Sequence, residues 1–315
     1  MVKKMKNINV VFMGTPTFAV PILESLIKNY NVTLVVSQPD REKDRKGNLL
    51  ATPTKALAKE YNIEVFQPTK IKEDYQKIID KQPDIIITCA YGQIIPDELL
   101  NYPKYGAINV HGSLLPKLRG GAPIHWALIN GEKETGITIM YMSSKMDAGD
   151  IISQRKIPIL DSDNLDTLYP KLSNLGRDLL MDTLPDIINN KIKPIKQNEE
   201  EVTYGLNIKK EEEKIDFNQN ANIINNQIRG LSSKPGAYCY LDNKRLKILK
   251  ASITDIPSQK EPGTIEKITK DSLMVATNDY LLALKDIQIE GKKRCLVSDY
   301  LNGINKEELI NKKLK

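Results

Sequence analysis

The sequence predicts an α/β domain built on a mainly parallel sheet with helices on both faces, followed by a smaller all-β domain. Three observations carry that prediction. In the N-terminal half, short apolar runs alternate with helical patterns, the mark of βαβ units. One of those runs, Ile85-Ile86-Ile87, is continuously β-branched, as in a strand buried on both faces. Beyond residue 208, short segments of alternating character are separated by turn residues at regular intervals, as in a small barrel or sandwich.

The elements follow in order. Residues 9–13 form a short apolar strand ended by Gly14-Thr15-Pro16, and 18–29 has helical spacing. A β-branched strand over 32–37 is followed by a helix over 51–61 and a strand over 63–66. Strands over 84–89, 108–110 and 137–142 complete the sheet. Residues 165–189 are helical, with Leu168, Leu172, Leu175, Leu179 and Leu180 at three-to-four-residue spacing. The polar, Pro-containing stretch 191–207 reads as a linker. After it come a helix over 221–230 and strands over 237–241, 246–251, 263–269, 272–277 and 281–289. The expected domains are therefore 1–189 and 208–315, joined by a linker over 190–207.

Composition narrows the function. The 315 residues are enough for two domains with real cores. Three distant cysteines, Cys89, Cys239 and Cys295, form no C-x-x-C pair, which argues against a disulfide framework or a Cys-ligated zinc. The two histidines, His111 and His125, exclude most His-rich metal sites. No apolar run approaches the roughly 18 residues of a membrane helix, and the basic start lacks a signal-peptide apolar region, so a soluble, unprocessed, cytoplasmic protein without membrane association is expected. Residues 1–189 carry 23 basic and 22 acidic side chains, whereas 190–315 carry 23 and 18. The basic excess thus sits in the C-terminal part, where it suits a polyanionic partner such as nucleic acid, or simply a solvated Lys-rich surface.

No G-x-x-x-x-G-K-[ST] is present, the first strand is not followed by G-x-G-x-x-G, and no G-x-S-x-G surrounds Ser113. These absences disfavour P-loop, dinucleotide-binding and serine-hydrolase readings. The informative stretch is Asn109-Val110-His111-Gly112-Ser113-Leu114-Leu115-Pro116, followed by Lys117-Leu118-Arg119-Gly120. Residues i and i+2 of a strand share a face, so Asn109 and His111 are expected to point into one cleft. An amide can donate to a developing oxyanion, and an imidazole suits proton transfer near neutrality. Downstream, a strand ends in the loop Lys145-Met146-Asp147-Ala148-Gly149-Asp150, which can bring the Asp147 carboxylate beside His111. An Asn, a His and an Asp fit transfer of a one-carbon acyl group to an amine through a tetrahedral intermediate. On spacing alone, a hydrogen-bonded structural histidine is the competing reading.

The segment 109–120 together with Asp147-Ala148-Gly149-Asp150 resembles the signature of the 10-formyltetrahydrofolate-dependent formyltransferases. Phe12-Met13-Gly14-Thr15-Pro16, Gln38-Pro39-Asp40-Arg41, Ala90-Tyr91-Gly92, Arg229-Gly230-Leu231, Pro235-Gly236-Ala237 and Tyr300-Leu301-Asn302-Gly303 extend the resemblance along the whole chain, toward the branch that acts on initiator methionyl-tRNA. The resemblance implies a Rossmann-like catalytic domain and an OB-like C-terminal barrel that binds tRNA. It implies 10-formyltetrahydrofolate as formyl donor, the methionine of initiator methionyl-tRNA as acceptor, no metal, and an architecture consistent with a monomer. Carried over by position, the catalytic residues are Asn109, His111 and Asp147, and the folate-contacting loop is Ser113, Leu114, Leu115 and Pro116. A loop after the second strand is implied to reach the tRNA acceptor arm, with Arg41, Arg45 and Lys46 as its basic residues and Arg45 the best match. Formylation of a small amine by the same core, or tRNA binding by a chain with a degenerate catalytic half, are the alternatives.

His125 matches no catalytic position and is expected to serve packing or the surface. Arg119, Gly120 and Gly121 are expected to shape the wall of the donor site. The cysteines read as small apolar residues. Ser232-Ser233-Lys234 departs from the aromatic-containing version of the family.

Overall fold

The computed structural model describes residues 5–43 and 46–315. They divide into two units. The first comprises Met1–Pro123, Thr135–Ile157 and Tyr169–Leu206, and the second Ile124–Glu134, Pro158–Leu168 and Asn207–Lys315.

The first unit is organised by a seven-stranded sheet made of β1 (Met5–Gly14), β2 (Tyr30–Val36), β3 (Val65–Phe66), β4 (Ile85–Cys89), β5 (Ala107–His111), β6 (Glu134–Tyr141) and β7 (Ile151–Pro158). Their order is β3-β2-β1-β4-β5-β6-β7. The four pairings from β3 to β5 are parallel, and β6 runs antiparallel to β5. This is the mainly parallel sheet that alternating strands and helices predict, in the Rossmann-like arrangement that the resemblance implies.

Burial explains the pattern. Val10, Val11, Phe12 and Met13 of β1 and Ile85, Ile86 and Ile87 of β4 are fully buried, as a central parallel strand covered on both faces requires. The order reverses between β1 and β4, and a switch of this kind opens a crevice beyond the strand ends where open α/β sheets take ligands. Gly14 closes β1 at that point. A Cβ there would lie 2.7 Å from the Cys89 carbonyl oxygen, so only glycine lets the two strand ends approach so closely. The helix Val20–Asn29 buries Ile22, Leu23 and Leu26, and the long helix Leu165–Ile188 buries Leu168, Leu172, Leu179 and Leu180.

Residues 190–206, read from sequence as linker, belong to the first unit. Backbone bridges tie Ile195 to Ile151 and Tyr204 to Arg119. The reason is chemical: this polar stretch has backbone and side-chain donors that find partners in the loops after β5 and β6.

The second unit carries an antiparallel sheet of β8 (Ala237–Leu241), β9 (Lys244–Pro257), β10 (Ile265–Ile268), β11 (Leu273–Val275), β12 (Tyr280–Ile289) and β13 (Cys295–Leu296). The order is β10-β11-β12-β9-β8, with β13 on β12. The helix Ala221–Leu231 buries Ala221, Ile224, Ile228 and Leu231, one helical stripe, into the same core as Ile248, Leu282 and Leu284. Within this unit, Gly230 faces the helix Pro123–Ile129, where a Cβ would lie 2.9 Å from the His125 carbonyl oxygen. Arg229 donates to the carbonyls of Asp163 (2.6 Å) and Leu160 (2.8 Å). The Arg229-Gly230-Leu231 motif is thereby a packing device of the second unit. Ser232 donates to the Leu249 carbonyl (2.8 Å), and Ser233 to Asp166 (3.1 Å).

Candidate active site

Strand β5 sets the site. Ile108 and Val110 alternate into the core, while Asn109 stays partly exposed and His111 is buried at the strand end. In register with Asn109 on β4 stands Thr88, a buried hydroxyl in an otherwise apolar strand. Its Oγ1 donates to Asn109 Oδ1 at 2.8 Å. Because that bond occupies the carbonyl end of the amide, the Nδ2 protons are the end left for the cleft.

His111 Nε2 lies 3.0 Å from the Leu118 carbonyl oxygen. A carbonyl only accepts, so Nε2 carries the proton, and in the neutral ring Nδ1 is the basic nitrogen. Nδ1 faces Asp147 Oδ2 at 3.7 Å, close enough for charge attraction and too long for a hydrogen bond. Proton uptake at Nδ1 would place an imidazolium directly beside a carboxylate. The Asp147 carboxylate also accepts from the Gly120 amide at 2.8 Å.

Asp147 sits in the left-handed region, φ 48°, where aspartate is among the better-tolerated residues. Gln197 donates from Nε2 to the carbonyls of Asp147 (2.8 Å) and Gly149 (2.7 Å). Its Oε1 accepts from Arg119 Nε (3.0 Å) and Nη2 (2.9 Å). Arg119 is 3% exposed and completes its contacts on Glu199. At Gly149 a Cβ would fall inside the Tyr141 carbonyl oxygen, so the loop closes only with glycine there.

The loop Ser113, Leu114, Leu115 and Pro116 is held from beneath. Thr138 Oγ1 donates to the Ser113 carbonyl (2.7 Å) and accepts from the Leu115 amide (3.1 Å), and Gln154 Nε2 donates to the Leu115 carbonyl (2.8 Å). The Ser113 hydroxyl is spent on the Lys117 carbonyl (2.6 Å), and Leu115 is buried. Leu114 and Pro116 are the half-exposed side chains of the four.

The loop after β2 is rooted by Asp40, which accepts from Lys55, from Gln67 Nε2 (2.8 Å) and from the Thr52 amide (3.2 Å). Burial alone would raise the Asp40 carboxyl, but these donors hold it below the usual carboxylate range. Arg41 and Lys46 are exposed on this loop, and Arg45 lies outside the described residues. Burial lowers the pKa of His125, in the helix of the second unit, and raises those of Cys89 and Cys239. Among the described residues, no group of three His, Cys, Asp or Glu side chains could hold a metal ion, and no helix is long and apolar enough to cross a membrane.

Sequence reasoning missed Thr88, Gln197, Thr138 and Gln154. Thr88 left one signal, a lone hydroxyl in a buried β-branched run. The two glutamines left none.

Comparison with known proteins adds to this geometry. A family model described as formyl transferase matches residues 6–184, and one described as formyl transferase, C-terminal domain, matches residues 207–305. The chain is 47% identical over 311 residues to a protein named methionyl-tRNA formyltransferase from Malacoplasma penetrans, covering 98% of each chain. It is 48% identical to one of the same name from Staphylococcus aureus, covering 97% of this chain and 99% of that one. Among solved structures, the fold is similar to that of WlaRD, a sugar 3N-formyl transferase crystallised in the presence of dTDP and 5-N-formyl-THF. The TM-score is 0.65 at 22% identity, over 91% of this chain and 99% of the other.

Proposed function

The chain belongs to the formyl transferase family, and from that premise we propose that it moves the formyl group of 10-formyltetrahydrofolate to the methionine α-amino group of initiator methionyl-tRNA. The product is N-formylmethionyl-tRNA for translation initiation. The observation that carries this reading is identity of 47–48% along essentially the whole chain to relatives named for that reaction. A folate donor is supported further by the formyl-THF named with a structural neighbour.

The chain's own residues divide the work. Asn109, its Oδ1 engaged by Thr88, offers Nδ2 to the formyl oxygen as negative charge develops in the tetrahedral intermediate. His111 takes the proton of the attacking amine at Nδ1, since Nε2 is committed to Leu118. Asp147 stabilises the resulting imidazolium. The proton then passes to the folate nitrogen as the bond between that nitrogen and the formyl carbon breaks, so that one C–N bond forms for one broken. Leu114 and Pro116 offer apolar surface to the donor, on a loop that Thr138 and Gln154 hold still.

Arg41, Arg45, Lys46 and the basic C-terminal part are assigned to the tRNA, whose phosphates they neutralise. The enzyme is expected to work as a monomer in the cytoplasm. The test is to incubate the protein with 10-formyltetrahydrofolate and, in parallel, methionyl initiator tRNA, methionyl elongator tRNA or a small primary amine. Formylation of the initiator is expected to dominate. Equal or greater formylation of the small amine would replace this reading with a small-molecule formyltransferase.

A further inference from the structure

We propose that Gln197 is a positioning residue for the Asp147 carboxylate, holding the loop on which it stands to the buried guanidinium of Arg119. The inference rests on the catalytic reading of Asp147 given above.

The loop 145–150 has reason to move. It carries a non-glycine residue in the left-handed region, a conformation that costs free energy and persists only where the surroundings over-determine it. Two of its carbonyls, those of Asp147 and Gly149, converge on one nitrogen, Gln197 Nε2. The neighbouring oxygen of the same amide faces two N–H groups of Arg119. Only a carboxamide meets that demand, with two protons on one atom and an acceptor beside it. A lysine would lack the acceptor, and a glutamate would lack the donors.

Arg119 is itself immobilised. It is almost wholly buried, its backbone amide donates to the Thr203 carbonyl at 2.9 Å, and its carbonyl accepts from Gly205 at 2.7 Å. The next residue, Gly120, donates directly to the Asp147 carboxylate. The pair Arg119-Gly120 therefore grips Asp147 twice, through Gln197 at the backbone and through an amide at the carboxylate. The position of Asp147 against His111 is set by a residue 50 positions downstream.

The experiment compares wild type with Gln197→Ala, Gln197→Glu, Asp147→Ala and the double variant Asp147→Ala/Gln197→Ala. It measures single-turnover formylation, KM for each substrate and Tm. Both Gln197 variants are expected to lose about tenfold or more in rate, as sub-ångström misplacement of a catalytic group does, with KM changed by no more than about twofold. That loss is expected to vanish in the Asp147→Ala background, because a residue acting only through Asp147 has nothing left to act on. Gln197→Glu keeps the volume and the Arg119 partner, so it decides the matter should the alanine variant fold poorly. A wild-type rate in Gln197→Glu, a loss confined to KM, or an equal fractional loss with and without Asp147 would overturn the proposal. A wild-type rate in Asp147→Ala would instead remove the catalytic reading of Asp147, and this inference with it.

Discussion

The Thr88 hydroxyl on one central strand donates to Asn109 Oδ1 on the next at 2.8 Å, which favours the amide orientation that leaves Nδ2 free of that contact. An amide that flips offers an oxygen where a donor is needed. Thr88→Val keeps the shape of the side chain and removes the hydroxyl, so it is expected to cost about 1 kcal/mol of stability. It is also expected to lower kcat about tenfold, a fraction of the loss seen when an oxyanion donor is deleted outright. Thr88→Ser should restore both. Urea unfolding and steady-state kinetics on the three proteins would settle it, and an unchanged kcat in the valine variant would show that the amide does not depend on Thr88.

Removal of the proposed catalytic groups is expected to have graded effects. Asn109→Ala should lower kcat by about 10²–10³-fold, the range for loss of one preorganised oxyanion donor. His111→Ala should cost about 10²–10⁴-fold, the range for a lost general acid–base. Single-turnover rates on variants with native circular dichroism are the measurement. Near-normal rates in both would end the assignment.

Gly149→Ala puts a methyl group into the Tyr141 carbonyl oxygen. The clash is with backbone, so relief requires the loop to shift, at about 1–3 kcal/mol. Because that shift displaces Asp147, kcat is expected to fall alongside stability. Thermal unfolding and kinetics on the same sample would test the link, and full activity in a destabilised variant would break it.

His125 gives the second unit a pH dependence. Burial lowers its pKa in the folded protein, so the native state favours the neutral ring. A folded pKa below the unfolded value of about 6.5 makes stability complete above that pH, with loss as pH falls through the depressed value. The stability difference between wild type and His125→Gln is therefore expected to shrink between about pH 7 and 5. Urea midpoints across that range measure it. A difference that stays constant with pH would mean that the His125 pKa is the same in the folded and unfolded states, and would overturn the effect of burial.

Much of the fold was legible because the signals are local. Ile85-Ile86-Ile87 announces a strand buried on both faces, and the alternation around Asn109 and His111 places both on one face of a strand end. Asp147 could be found from its loop and the family pattern. What escaped was long-range or polar. The Thr88 to Asn109 bond exists only because β4 and β5 pair in that register, and nothing near either residue reveals which strand lies alongside. Strand β9 runs over Lys244–Pro257 where only 246–251 was expected, since its distal half is exposed or half-buried and lacks a regular two-residue apolar alternation. Gln197 sits in a stretch whose composition says linker, and its role comes from partners about 50 and 78 positions away.

That last feature bears on how the enzyme is made. A ribosome extruding this chain releases Asn109, His111 and Asp147 well before Gln197, so the three chemical groups exist in the nascent polypeptide before the brace that fixes one of them. A fragment cut after the long helix, at 189, would contain all three proposed catalytic side chains and still lack the brace, whereas one cut at 206 would contain both. The seventeen residues between the two cuts carry Gln197, Glu199 and the backbone partners of Arg119.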